Sequence, residues 1–527
     1  MTMKRWILVA AVLGSGIVFL DSTVVNVALP RIGRDLPRSF LGVLEGQSYV
    51  YNAYLLTLSA LLILAGALND FYGRQRMFLL GLLGFGVTSV LCGLAPSMEL
   101  LVLFRILQGA AGALLVPGAL ALITANFAGE EQGRAFGLWA GASAATTLLG
   151  PVVGGFLVDS ISWRAAFLIN VPLIALAAWA TWRHVPESRN EDATAQFDWI
   201  GAGIVFFAVG GLAFGAIYGQ QRAWRDPAGY VALALGAVAT VALPFWMMRA
   251  KHPLIPLELF RFRNFTVTNL STLVIYGALY VTGYYLGLFQ QGTLGYTAAA
   301  AGASGIPGSL FLIFLSSRFG AFASRYGPRW FMAVGPAIMA MGVLWWSRVP
   351  SNSVPWQLRP GDPSTYLPTL SWLVDFLPGS IIFGLGICIM VAPLTTALMT
   401  SVPVRNSGLA SAINNAISRV GPQLAGAMIF VFLTNSFYSF LGSKLTGVDV
   451  SSEAFRAQVS PLNTPADPNL IALARDASTS SVHLAMFVGA ALLLIGALVN
   501  AIGIRNPVVI RPEQAVTPAE ATAVSAH

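Results

Sequence analysis

Apolar stretches of about 20 residues, separated by short polar turns, follow one another along almost the whole chain. A hydrocarbon core about 30 Å thick takes about 20 helical residues to cross, and fourteen stretches meet that length. Six fill the first third, at 6–29, 46–68, 78–95, 101–124, 135–158 and 165–182. A polar linker from 184 to 198 precedes two more, at 199–219 and 229–248, and a basic linker follows. The last six lie at 265–289, 299–317, 330–346, 370–398, 408–433 and 483–504. The pattern predicts an all-α polytopic membrane protein with both termini on one side. Its units are a six-helix bundle over 1–184, a linker with two additional spans over 185–263, and a second six-helix bundle over 264–505. Residues 437–480 are polar and carry Pro461, Pro465 and Pro468. They read as a long external loop with a short amphipathic piece near 470–475, either simply solvated or serving as a gate or docking point for a periplasmic adaptor. Residues 506–527 read as a disordered cytoplasmic tail.

Composition removes the soluble alternative. Only 10% of residues are charged, against about 25% in ordinary soluble domains, and 53 glycines suit closely packed membrane helices. The net charge of +8 is spread over short loops without a dense basic tract, so nucleic acid is not an expected partner. The bias of Lys and Arg favours cytoplasmic termini, with Arg249, Lys251, Arg261 and Arg263 in one inner loop and Arg318, Arg325 and Arg329 in another. Cys92 and Cys388 lie in apolar segments and read as packing residues. The apolar run after Lys4-Arg5 continues to Leu29 without a small-residue cleavage site, so it reads as an uncleaved first helix.

Ionisable residues at membrane depth are costly, about 2.5–3.5 kcal/mol on insertion scales, and they mark substrate, ion or proton pathways. Asp21 is in the first stretch, Arg105 in the fourth, Asp375 in the twelfth and Arg419 near the middle of the thirteenth. Burial favours the neutral form of a carboxylate, and a nearby arginine favours the charged one. For Arg419 two readings stand side by side: an ion pair with Asp375 or Asp21, or a substrate contact. The segment from Gly66 to Arg76 recurs after the tenth stretch, where Gly320, Tyr326 and Gly327 match Gly66, Tyr72 and Gly73 and Ser324 replaces Asp70. Two six-helix halves related by a parallel repeat have this property.

Four motifs carry a family resemblance over about 6–504. They are Asp21-x-Thr23-Val24-Val25-Asn26-Val27-Ala28-Leu29-Pro30, Gly66-x-x-x-Asp70-x-x-Gly73-Arg74-x-Arg76, Arg105-x-x-Gln108-Gly109-x-x-Gly112 with Pro117, and Gly150-Pro151-x-x-Gly154-Gly155. In this order the chain resembles the fourteen-span drug:proton antiporters of the major facilitator superfamily, the EmrB/QacA type. The resemblance implies the major facilitator fold, two six-helix bundles plus two extra helices. It implies that Asp21 carries the proton and Arg105 tunes it; a snorkelling interface arginine is the alternative for Arg105. Gly66, Asp70, Gly73, Arg74 and Arg76 would form a conformational latch or, more simply, a positive-inside anchor, with Phe71 departing from the basic residue usual there. Gly150, Pro151, Gly154 and Gly155 would face the opposite half near the cavity and limit leakage, or merely pack tightly. Asn26, Gln108, Asp375 and Arg419 are the candidates for cavity contacts or ion pairs. Some cation exporters of this type place carboxylates on the thirteenth helix; an arginine there disfavours dications and leaves neutral, monocationic and anionic amphiphiles open. Tyr49, Tyr51, Tyr54, Tyr276, Tyr280, Tyr284 and Tyr285 would line the cavity or populate interfacial belts.

The expected activity is export of small amphiphilic compounds across the inner membrane in exchange for protons, with the bilayer as the remaining partner. A dedicated exporter of one metabolite, siderophore or antibiotic is the alternative, and a non-transporting receptor or scaffold is disfavoured by the latch and antiporter motifs. Enzymatic chemistry is not expected. The four histidines, His184, His252, His483 and His527, have no metal-ligand spacing, and no Walker-type Gly-Lys-Ser/Thr occurs. The energy source is then the proton-motive force, with no cofactor and no ATP.

Overall fold

A computed structural model describes residues 3–37, 43–189, 197–221, 224, 226–359, 361–445, 448–465 and 467–506. The expected disordered tail falls almost entirely outside these residues. Regular structure among the described residues is helical throughout. The first half comprises α1 (Met3–Asp35), α2 (Val43–Tyr72), α3 (Arg74–Gly93), α4 (Met98–Ala113, continued by Leu115–Asn126), α5 (Gly129–Ser160) and α6 (Ala165–Leu168, continued by Asn170–His184). Between the halves lie α7 (Trp199–Gln221) and α8 (Pro227–Arg249). The second half comprises α9 (Arg263–Leu288), α10 (Ala298–Ala303 and Ile306–Tyr326), α11 (Arg329–Trp346), α12 (Leu370–Asp375 and Leu377–Thr400), α13 (Ser407–Lys444) and α14 (Pro468–Gly503). Among the described residues, twelve helices are long and apolar enough to cross a bilayer. The other two long helices, α5 and α11, pack side by side with these spans.

Four helices predicted as continuous are interrupted, and each break has a proline just beyond it. Leu114 precedes Pro117, Ile169 precedes Pro172, Ser304-Gly305 precedes Pro307, and Phe376 precedes Pro378. Proline lacks an amide donor and its ring crowds the carbonyl four residues back, so the hydrogen-bond ladder is interrupted just before it. Residues 437–480, expected to be a loop, are largely helical. Helix α13 runs on to Lys444, a short helix spans Glu453–Gln458, and α14 begins at Pro468 under an Asp467 cap. Phe437, Leu441, Val459, Ala474 and Ala477 form a separate apolar cluster, and the Tyr438 hydroxyl donates to Val459 O at 3.0 Å. The helical spacing of those apolar positions outweighs the polar composition of the segment.

The two halves meet reciprocally. Helix α2 packs on α13 and α10 packs on α5, so the second helix of each half lies on the fifth of the other. The α7–α8 hairpin joins through α7, which touches both α2 and α13. At the end of the bundle holding the termini the seams are closed by glycine. A Cβ on Gly66 would lie 2.5 Å from Gly408 O, and one on Gly133 would lie 2.3 Å from Gly320 O. The internal repeat extends to the loops. Gly73 and Gly327 both adopt positive φ, +110° and +86°. In each half a residue following the sixth helix caps the start of the third. Glu187 accepts from the Gln75 and Arg76 amides, and Asn506 accepts from the Arg329 amide.

Candidate functional site

Five helices of the first half converge on Asp21. Arg105 and Gln108 are three residues apart on α4 and therefore share a face, as Ser89 and Cys92 do on α3. Arg105 Nη1 donates to Asp21 Oδ2 at 2.5 Å and to Gln108 Oε1 at 2.7 Å, while its Nε donates to Val50 O of α2 at 3.0 Å. The other carboxylate oxygen accepts from Gln108 Nε2 at 3.1 Å and from Asn170 Nδ2 of α6 at 2.9 Å. Ser89 Oγ accepts from the same two amides. Asp21, Ser89, Arg105, Gln108 and Asn170 are all fully buried. A buried ion pair is tolerated when its remaining polar atoms are bonded, and the carboxylate here is held from both sides.

Tyr54 stands between this network and a cavity. Its ring lies 4.1 Å from the Arg105 guanidinium, and its hydroxyl donates to Val18 O at 3.1 Å. The cavity encloses about 1170 Å³ between the halves and reaches Phe156, Ala298 and Leu358 toward the end opposite the termini. Tyr54, Trp139, Tyr276 and Arg419 are among its walls. Arg419 is its only charged lining residue among the described residues.

The termini end is fastened by a second cluster. Asp70 Oδ1 accepts from the Gly408 amide at 3.2 Å and Oδ2 from the Leu409 amide at 2.8 Å, at the first turn of α13. A helix N-terminus favours such an anion. Arg74 Nε and Nη2 donate to Asp70 Oδ1 at 3.1 and 2.9 Å, and Nη2 also donates to Val404 O in the other half. Arg76 is exposed and lies 3.5 Å from Glu187.

Several candidates lie elsewhere than expected. Asn26 is exposed and outside the Asp21 network. Asp375 accepts from Ser353 Oγ at 2.7 Å, in the segment between α11 and α12, and forms no ion pair with Arg419. Asp21 is engaged by Arg105, so neither expected carboxylate reaches Arg419. Gly150 and Gly154 pack on α1, where added Cβ atoms would lie 1.8 Å from Thr23 Oγ1 and 3.1 Å from Val24 Cα, instead of facing the opposite half. Gly155 lines the cavity. Pro151 is within α5, with its side chain outside the described residues. The face of α5 that meets the opposite half is Gly133, Gly137 and Gly141, against Gly320, Ser317 and Ile313. Their four-residue spacing was present in the sequence. Asn170 and Ser89 were also missed, although a polar residue inside an apolar run is the signal that singled out Asp21.

Residues 11–426 match the family model of the Major Facilitator Superfamily. The chain is 32% identical to "Multidrug resistance protein Stp" of Mycobacterium tuberculosis over 80% of its length and 74% of the relative's. It is also 32% identical to the "Tetracenomycin C resistance and export protein" of Streptomyces glaucescens, over 81% and 76% of the two chains. Among solved structures, the proton:xylose symporter XylE superposes with a TM-score of 0.55 at 16% identity, covering 94% of each chain. That likeness concerns the fold.

Proposed function

The chain belongs to the Major Facilitator Superfamily, a family of transporters and not of enzymes, and from that premise we propose that it exports small amphiphilic compounds in exchange for protons. The observation that carries the reading is the position of Tyr54, fully buried between the Asp21–Arg105 pair and the cavity wall, stacked on Arg105. A compound that fills the cavity packs on the α1 and α2 wall that covers Tyr54, so occupancy and the ion pair are coupled through the side chain stacked on Arg105. A buried carboxylate separated from its arginine favours the protonated form. Asp21 is the proton-carrying group of this exchange, and movement of α1 against α4 is the step that opens its pair with Arg105. Asn170 and Gln108 orient the carboxylate in the paired state.

With the termini in the cytoplasm of an inner membrane, the latched structure is closed inward and its cavity extends outward. Exchange alternates the latch at Asp70 with closure at the opposite end. The driving force is the proton-motive force, worth about 2.3 kcal/mol per charge per 100 mV. A second reading, export of one antibiotic only, draws on the printed role of the Streptomyces glaucescens relative.

The test is uptake into everted vesicles under an imposed pH gradient without ATP, over a panel of lipophilic compounds. The reading predicts uptake of at least several compounds that stops when the gradient is collapsed. Uptake that survives collapse of the gradient would overturn proton exchange, and uptake of a single compound would favour the second reading.

A further inference from the structure

Taking the export reading as its basis, this inference concerns what the cavity accepts. Among the described residues no carboxylate lines it, and Arg419 has neither an ion-pair nor a hydrogen-bond partner. An uncompensated guanidinium at membrane depth is costly, and nothing in the wall offsets it. The neighbouring hydroxyls do not compete with it as donors. Ser22, Ser143, Thr147, Ser309 and Ser418 each donate to a carbonyl of their own helix. The Trp139 indole is likewise committed, donating to Ser15 Oγ at 2.7 Å. The guanidinium therefore brings five N–H donors and a positive charge to a wall whose serine and threonine hydroxyls present only lone pairs.

We propose that the cavity selects organic anions: amphiphiles whose carboxylate, sulfonate or phenolate pairs with Arg419 while their rings lie against Phe19, Leu55 and Tyr276. The planar fork of arginine suits a two-oxygen group. The volume of about 1170 Å³ exceeds the 300–1,000 Å³ typical of drug-sized pockets, so a polycyclic body fits. An organic cation of the same shape meets one repulsive charge and no attractive one.

Tetraphenylborate and tetraphenylphosphonium, ions of nearly identical shape and opposite sign, separate charge from hydrophobicity. Binding of each to the full-length purified protein is measured by titration calorimetry, for wild type, Arg419→Gln, Arg419→Lys and Arg419→Glu. The expected result is a preference for the borate of about tenfold or more, kept by Arg419→Lys, erased by Arg419→Gln and reversed by Arg419→Glu. Equal binding, preference for the phosphonium, binding of neither ion, or a borate preference that survives Arg419→Gln would overturn the proposal. The wild-type comparison stands even if a variant fails to fold. Export is read separately, as gradient-driven uptake of both ions into everted vesicles. Uptake without preference refutes anion selection and leaves export standing; preferential binding without uptake of either ion does the reverse.

Discussion

Replacing Asp70 by Asn isolates the latch. The carboxylate joins the halves through the Gly408 and Leu409 amides, and Arg74 adds Val404 O. The Asp70–Arg74 pair lies within one half, so the contacts that bias the equilibrium between states are those across the seam. An amide retains one acceptor oxygen, while its nitrogen meets either the Leu409 donor or the Gly408 and Arg74 donors. A hydrogen bond to a charged group is worth about 1.5–3 kcal/mol, and an anion at a helix N-terminus adds about 0.3–1 kcal/mol. The closed state should then lose about 2–4 kcal/mol, a shift of roughly 30- to 1,000-fold. Spin labels at Glu130→Cys and Arg325→Cys, both exposed on opposite sides of the α5–α10 seam, report it by electron–electron distance measurement. The native Cys92 and Cys388 are buried, so labelling is confined to the introduced sites. The reasoning predicts one short distance in the wild type and a predominantly longer one in Asp70→Asn. An unchanged distribution in a folded variant would refute the latch.

Three further outcomes follow from the geometry. Gly133→Val forces side-chain atoms against Gly320 O, at a cost typical of overpacking, about 1–3 kcal/mol; the same label pair should lengthen and gradient-driven uptake should fall, with expression retained. Glu187→Ala removes the cap on α3 and should lower the thermal midpoint in detergent by the equivalent of about 1 kcal/mol, whereas Arg76→Ala, at an exposed residue, should change it little. Arg105→Ala leaves Asp21 buried without its cation, a loss of about 3–5 kcal/mol; differential scanning should show a far larger drop than Arg105→Lys, which keeps the charge.

Much of the architecture was legible because lipid imposes a simple code. Apolar length gave the membrane helices, twelve of which are long and apolar enough to span among the described residues, and the repeated Gly66–Arg76 segment recurs in the structure as the matching turns at Gly73 and Gly327. The Asp21–Arg105 meeting was legible through motif resemblance and the cost of intramembrane charge. The breaks at Leu114, Ile169, Ser304-Gly305 and Phe376 were missed because apolar length does not report backbone continuity, although the prolines did. The helices beyond 437 are hard to read from sequence because their polar composition masks the helical spacing of the apolar positions. Arg419 exposes another limit: a sequence identifies an intramembrane charge without its partner, and both expected carboxylates are committed elsewhere.

The account stands or falls on Asp21 as the proton-carrying group. Its two oxygens face donors only, Arg105 on one side and Gln108 with Asn170 on the other. An asparagine there meets a donor whichever way it turns and has no proton to exchange. The direct measurement is substrate-triggered dissipation of a pH gradient in proteoliposomes, wild type beside Asp21→Asn, with substrate binding measured on both. The account predicts proton movement on substrate addition in the wild type and none in a variant that still binds substrate. Equal proton movement in both would contradict it.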